Sequence, residues 1–154
     1  MKLFYKKMGS TGSVIIILHG LFGNGRNWFS IARQLSKNYQ VYSLDLRNHG
    51  QSPHSNIMTY EDMVADIIEF KNAHNLVEFD LIGHSMGGKV AMLLALNYPY
   101  LIKHLAIIDI APVEYQHNFS DIFDALLSMP LVQLKSRKQA ELLLARKISR
   151  PEIR

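Results

Sequence analysis

Ser85 lies in the stretch "LIGHSMGGKV", from Leu81 to Val90, which fits two different chemistries. As G-x-S-x-G it sets Ser85 on a sharp turn between a strand and a helix, where the hydroxyl can act as an acyl-accepting nucleophile. As G-x-x-x-x-G-K-[ST] it makes Gly83 to Lys89 a phosphate-cradling loop, missing only the hydroxyl residue, because position 90 is valine. Asp109, at the end of an apolar run, then resembles a magnesium-holding aspartate. The nucleotide reading leaves Ser85 and the upstream "HGLFGNGRNW" without a role. The nucleophile reading uses both. A turn after a buried strand can aim a backbone N–H at a substrate oxygen, so the amides of Leu21 and Met86 are candidate oxyanion donors. By analogy with a measured donor, each is worth roughly 2.7–4 kcal/mol in a transition state.

These residues need a rigid support. Four apolar runs of strand length recur: Val14–His19, Gln40–Leu46, Phe79–Gly83 and His104–Ile110. Their Val, Ile and Leu content suits strands covered on both faces of a parallel sheet. The leading "KLFYKKMG" is expected to add an edge strand. Helical patterns fill the gaps in "NWFSIARQLSK", "YEDMVADIIEFKNAH" and "MGGKVAMLLALNY", the last stopping at Pro99. Thr59 with Asp62, and Ser136 with Gln139, have capping-box spacing. Alternating strand and helix predicts an α/β fold, a three-layer sandwich with a mostly parallel sheet. After Asp109, "FSDIFDALLSM" and "SRKQAELLLARKIS" read as two helices with no strand between them. Residues 1–116 are therefore expected to form the core and residues 117–154 a helical cap.

Bulk composition narrows the function classes. The 154 residues are 48% hydrophobic and contain no cysteine, which excludes disulfides and thiolate metal sites. No apolar segment has the length of a signal peptide or a membrane span, so a cytoplasmic location without stable membrane insertion is expected. The net charge of +4 comes from the end of the chain. Residues 1–134 sum to −1 and residues 135–154 to +5. No aromatic interleaving accompanies the basic end, so it reads as a solvated helix face, with no nucleic acid as partner.

Four motifs in order, "HGLFGNGRNW", "DLRNHGQSP", "GHSMGGKV" and "IIDIAPVEY", resemble the α/β-hydrolase superfamily. Together they look like its small bacterial carboxylesterases, which cleave short acyl esters and thioesters such as acyl-CoA. The resemblance runs from about Leu3 to the low 120s. It implies Ser85 as nucleophile, the Leu21 and Met86 amides as oxyanion hole, Asp109 as the acid, and no cofactor or metal. It also implies that "DLRNHGQSP" is scaffold, with Asp45, Gly50 and Ser52 in a turn and His49 packed in a loop.

The resemblance stops before the catalytic histidine and the last strands of such a fold. Of the seven histidines, His19 and His84 belong to the oxyanion and nucleophile motifs. His54, His74 and His104 fall at loops or element ends. His117 alone follows Asp109 on a loop, and is the candidate substitute base. The expectation is a serine hydrolase with impaired turnover, or a truncated, non-catalytic subunit that binds acyl ligands. In either case the run "HLAIIDI" would lie at an exposed sheet edge open to self-association.

Overall fold

The computed structural model describes residues 1–114 and 120–149. They form two compact units, Met1–Pro112 and Val113–Arg154. The first holds a five-stranded sheet built from β1 (Tyr5–Met8), β2 (Val14–Leu18), β3 (Gln40–Leu44), β4 (Phe79–His84) and β5 (Ile102–Ile108). The strand order is β1-β3-β2-β4-β5. β1 runs antiparallel to β3, pairing Tyr5 with Leu44, and every other neighbour is parallel. The mostly parallel sheet expected from the apolar runs is present. β5 begins two residues before the sequence suggested and ends two residues earlier, because Ile102 pairs with Phe79 and Ile108 with His84.

Side chains that alternate along a strand point to opposite faces, and here each face has its own helices. Ile16 and Leu18 of β2 pack with Tyr42, Leu44, Phe79 and Leu81 on one face. Against them lie Met63, Val64, Ile67 and Phe70 of α2 (Tyr60–Ala73), and Val90, Ala91 and Leu94 of α3 (Met86–Asn97). Ile15, Ile17 and Val41 point the other way, onto Ala32 and Leu35 of α1 (Phe29–Leu35). Full burial of each such aliphatic side chain is worth about 1.5–3 kcal/mol, so the two faces hold the sheet together. β5, like β1 at the other edge, has a partner on one side only among the described residues, and its Leu105 and Ile108 are exposed.

The helix starts follow their capping residues. Thr59 accepts the Asp62 N–H at 3.1 Å and donates its hydroxyl to the Asp62 carboxylate at 2.6 Å. The second unit contains α4 (Ser120–Leu127) and α5 (Arg137–Leu144), joined by a core of Ala125, Leu144 and Ile148. Ser136 accepts the Gln139 N–H, and the Gln139 side chain accepts the N–H of Lys135, one residue earlier than a capping box requires. No helix among the described residues is long and apolar enough to cross a membrane.

One ion pair ties the loop after β3 to α2. Arg47 donates through Nε and Nη2 to both oxygens of Asp66, at 2.6 and 2.9 Å. The same guanidinium donates to the carbonyls of Ile57 and Asp62. Both partners are buried. Removing Asp66 leaves Arg47 with the Asp62 carboxylate at 3.3 Å and with buried N–H donors that have lost their partner. Asp66→Ala is therefore expected to lower unfolding free energy by about 1–3 kcal/mol in urea titration. A loss under about 1 kcal/mol, as for a surface pair, would contradict this role.

Candidate active site

β4 ends at His84 and α3 begins at Met86, so the turn between them is the single residue Ser85. Its backbone is at φ 49°, ψ −115°, a region that a residue with a side chain seldom occupies. Hydrogen bonds hold it there. The Ser85 N–H donates to Ile108 of β5 at 3.0 Å, and its carbonyl accepts from Gly88 and Lys89 at 2.9 and 3.1 Å. The glycines on either side permit the tight path. A Cβ on Gly87 would stand 2.6 Å from the carbonyl oxygens of Leu18 and His19, and one on Gly83 would stand 2.5 Å from that of Gly87.

This geometry disposes of the phosphate-loop reading. Gly87, Gly88 and Lys89 are already helical, so no extended loop from Gly83 to Lys89 exists to wrap a phosphate. Val90, at the position where that motif needs a hydroxyl, is fully buried in the core with Ala91 and Leu94.

The turn after β2 passes directly beside Ser85. A Cβ placed on Gly20 would lie 3.2 Å from the Ser85 Cβ and 2.9 Å from His84 Nδ1. Leu21 and Met86 therefore stand on two sides of Ser85, one following Gly20 and the other opening α3. Among the described residues, no hydrogen bond engages the backbone N–H of either. The first turn of a helix leaves such donors free, with a partial positive charge suited to a developing anion.

Asp109 arrives from the opposite side. It follows β5 at φ 55°, next to Ile108, the residue paired with His84. Its side chain is 86% exposed, and Oδ2 lies 3.8 Å from His84 Nε2. That is an ion-pair distance and too long for a hydrogen bond. The proximity of His84 to Asp109 was not visible in the sequence, since it depends on β4–β5 register. Among the described residues no histidine hydrogen-bonds the Ser85 hydroxyl. His19 and His49 are engaged with backbone groups, and His104, inside β5 and not at an element end, meets Asp80 at 2.7 Å. His117 lies outside the described residues.

The "DLRNHGQSP" stretch supports the turn after β2. Asp45 accepts the N–H of Gly25 at 2.7 Å and that of Gln51 at 2.8 Å, and Ser52 donates its hydroxyl to the Asp45 carbonyl. His19 is buried, with Nε2 accepting the Leu46 N–H at 3.0 Å. Its Nδ1 lies 2.8 Å from the Gly20 carbonyl and must carry the proton for that bond.

Comparison with known proteins bears on the family and the fold. A family described as the alpha/beta hydrolase fold matches residues 13–135. Esterase YbfF of Escherichia coli is 37% identical over 129 residues, covering 83% of this chain and 51% of the relative. Ethanol acetyltransferase 1 of Cyberlindnera fabianii is 38% identical over 131 residues, covering 83% of this chain and 39% of its own. A solved marine microorganism esterase superposes with a TM-score of 0.92 at 43% identity, over 99% of this chain and 60% of that one. The chain spans about a third to a half of the length of the curated relatives it matches.

Burial, first of all, holds the His19 pKa below its ordinary 6.5, with the neighbouring His49 acting in the same direction. The unfolded chain then binds the proton more readily than the folded one. The stabilisation from a neutral His19 is complete above about pH 6.5 and is lost as pH falls from there through the folded-state pKa. Urea midpoints measured between pH 8 and 5 should decline in the wild type, and His19→Gln should show a shallower decline. Parallel slopes in the two proteins would refute this.

Proposed function

The chain belongs to the α/β-hydrolase family, and on that premise we propose that it carries the nucleophile half of a serine ester hydrolase. The carrying observation is Ser85 itself, held at a left-handed backbone between β4 and α3 with two unengaged amide donors beside it. Ser85 Oγ attacks the acyl carbon of a carboxylic ester or an acyl thioester. The oxygen that gains charge is received by the N–H groups of Leu21 and Met86. The alcohol or thiol leaves, an acyl-enzyme remains on Ser85, and water releases the acid.

The proton of Ser85 passes to a histidine oriented by Asp109. Among the described residues no histidine hydrogen-bonds the Ser85 hydroxyl, and the candidate substitute base read from the sequence, His117, lies outside them. Asp109 supports the role by position, at the end of the strand that pairs with β4. The family's small carboxylesterases, which this chain resembles, favour short acyl groups, including acyl-CoA, as the substrate class. An acyl-enzyme on Ser85 can also be discharged by an alcohol. Relatives named esterase and ethanol acetyltransferase are both compatible with it.

Hydrolysis of p-nitrophenyl butyrate by the folded chain, beside Ser85→Ala, tests the reading. Turnover is expected in the wild type, and a lower rate in the variant. The fall has an upper bound of about 10⁶, the cost of losing the serine from a complete triad. Residual catalysis of roughly 10³–10⁴ over water is what an oxyanion hole and binding supply without one triad member. Equal rates for the two proteins would overturn Ser85-dependent turnover by this chain alone.

A further inference from the structure

His49 belongs to the "DLRNHGQSP" stretch and touches none of the reacting groups just described, yet its ring reaches the turn beside Ser85. It is buried, at 8% exposure. Its Nδ1 lies 2.9 Å from the Arg47 carbonyl, an acceptor, so Nδ1 carries the proton. Nε2 is then a free lone pair, and it accepts the N–H of Phe22 at 3.2 Å. Phe22 stands at φ 61°, where a bulky residue is an outlier that costs of order 1–3 kcal/mol unless its surroundings impose it. The residue is 55% exposed, and its bond to His49 is one of the contacts that hold it in that conformation.

The two peptide units that flank the Leu21 Cα are each fixed by a histidine. The carbonyl of the Gly20–Leu21 peptide accepts from His19 Nδ1 at 2.8 Å and from the Gly23 N–H at 3.0 Å. In a trans peptide the C=O and N–H point in opposite directions, so these bonds turn the Leu21 N–H away from His19. The next unit, Leu21–Phe22, is set by the bond from the Phe22 N–H to His49 Nε2. The rings of His19 and His49 stand 5.0 Å apart, tilted at 57° to each other.

We propose that His49 is a positioning residue for the oxyanion donor: its neutral Nδ1–H tautomer holds the Leu21–Phe22 peptide and thereby aims the Leu21 N–H toward the substrate oxygen above Ser85. The proposal rests on the reading of Ser85 and Leu21 given under Proposed function. It assigns a role in the reaction to a residue that is otherwise part of the scaffold. The ring is suited to the place because it joins a donor and an acceptor across a rigid five-membered spacer. Glutamine can supply the same acceptor at the end of a flexible stem, and alanine cannot.

The test is covalent labelling of the full chain by an alkyl fluorophosphonate, with wild type, His49→Gln and His49→Ala compared. His49→Ala should lower the maximal labelling rate by roughly tenfold to a hundredfold, short of the roughly 10²–10³ for outright loss of an oxyanion donor. The half-saturating probe concentration should stay within about twofold, because binding before the transition state is untouched. His49→Gln should recover most of the rate. A loop staple with no part in the chemistry would leave the rate of folded His49→Ala unchanged, which overturns the proposal alone. Failure of the wild type to label at Ser85 overturns the serine hydrolase reading, and the proposal with it. Should His49→Ala not fold, ¹⁵N spectra of the wild type decide. An Nδ1–H tautomer with scalar coupling from Nε2 to the Phe22 amide is expected, and an Nε2–H tautomer would overturn the assignment.

Discussion

Everything near the site depends on one strained backbone. Ser85 occupies φ 49°, ψ −115° in a turn one residue long, a conformation that costs of order 1–3 kcal/mol and persists only when neighbours over-determine it. The determinants come from three directions. β5 takes the Ser85 N–H, the first turn of α3 takes its carbonyl, and the α3 N-terminus is pressed against the Leu18 and His19 carbonyls at Gly87. The strand order explains why this can happen at all. β4 lies between β2 and β5, so the ends of both neighbours, with Leu21 on one and Asp109 on the other, arrive at the residue that β4 presents.

A second layer of bonds keeps that convergence in place. Asp45, Arg47 and His49 follow one another in the loop after β3 and each serves a different neighbour. Asp45 binds the N–H of Gly25, His49 that of Phe22, and Arg47 reaches across to Asp66 on α2. The turn after β2 is therefore suspended from the loop after β3, and that loop from α2. Asp45 and His49 accept backbone N–H groups that the turn's own geometry leaves unpaired, and a buried donor left without a partner costs about 1–3 kcal/mol. Such a chain of bonds is rigid because few of its members can move without orphaning the next.

The parts of this arrangement that were legible in the sequence are those with a local signature. Apolar runs gave the strands, Thr59 and Ser136 marked helix starts, and glycines two before and two after Ser85 marked a turn with no room for side chains. The same segment also resembled a phosphate loop, and only the position of the helix start separated the two. What escaped was non-local. Phe22 and His49 are 27 residues apart, and no periodicity or spacing announces that one accepts from the other. The capping box at Ser136 was half right, because Gln139 can reach either of two adjacent N–H groups and takes that of Lys135. His84 faces Asp109 through strand register, and register is written in the pairing of β4 with β5 and not in either strand alone.

β5 shows how an apolar pattern can be right about a strand and silent about its setting. Its sequence is apolar on both faces, as for a strand covered twice, yet Leu105 and Ile108 are exposed and one edge has no neighbour. Asp109 shares that exposure. A charge surrounded by water interacts with its neighbours through a high effective dielectric, so the attraction is weak. Once water is excluded, the same charge at the same place acts far more strongly and also holds a ring in one orientation. The strength with which Asp109 acts on a neighbour is thus set by its exposure, 86% among the described residues. Ser85 and its amide donors, by contrast, lie against the buried centre of the sheet. Within this chain, the strained turn at Ser85 and the two unengaged amides beside it are properties of the fold described.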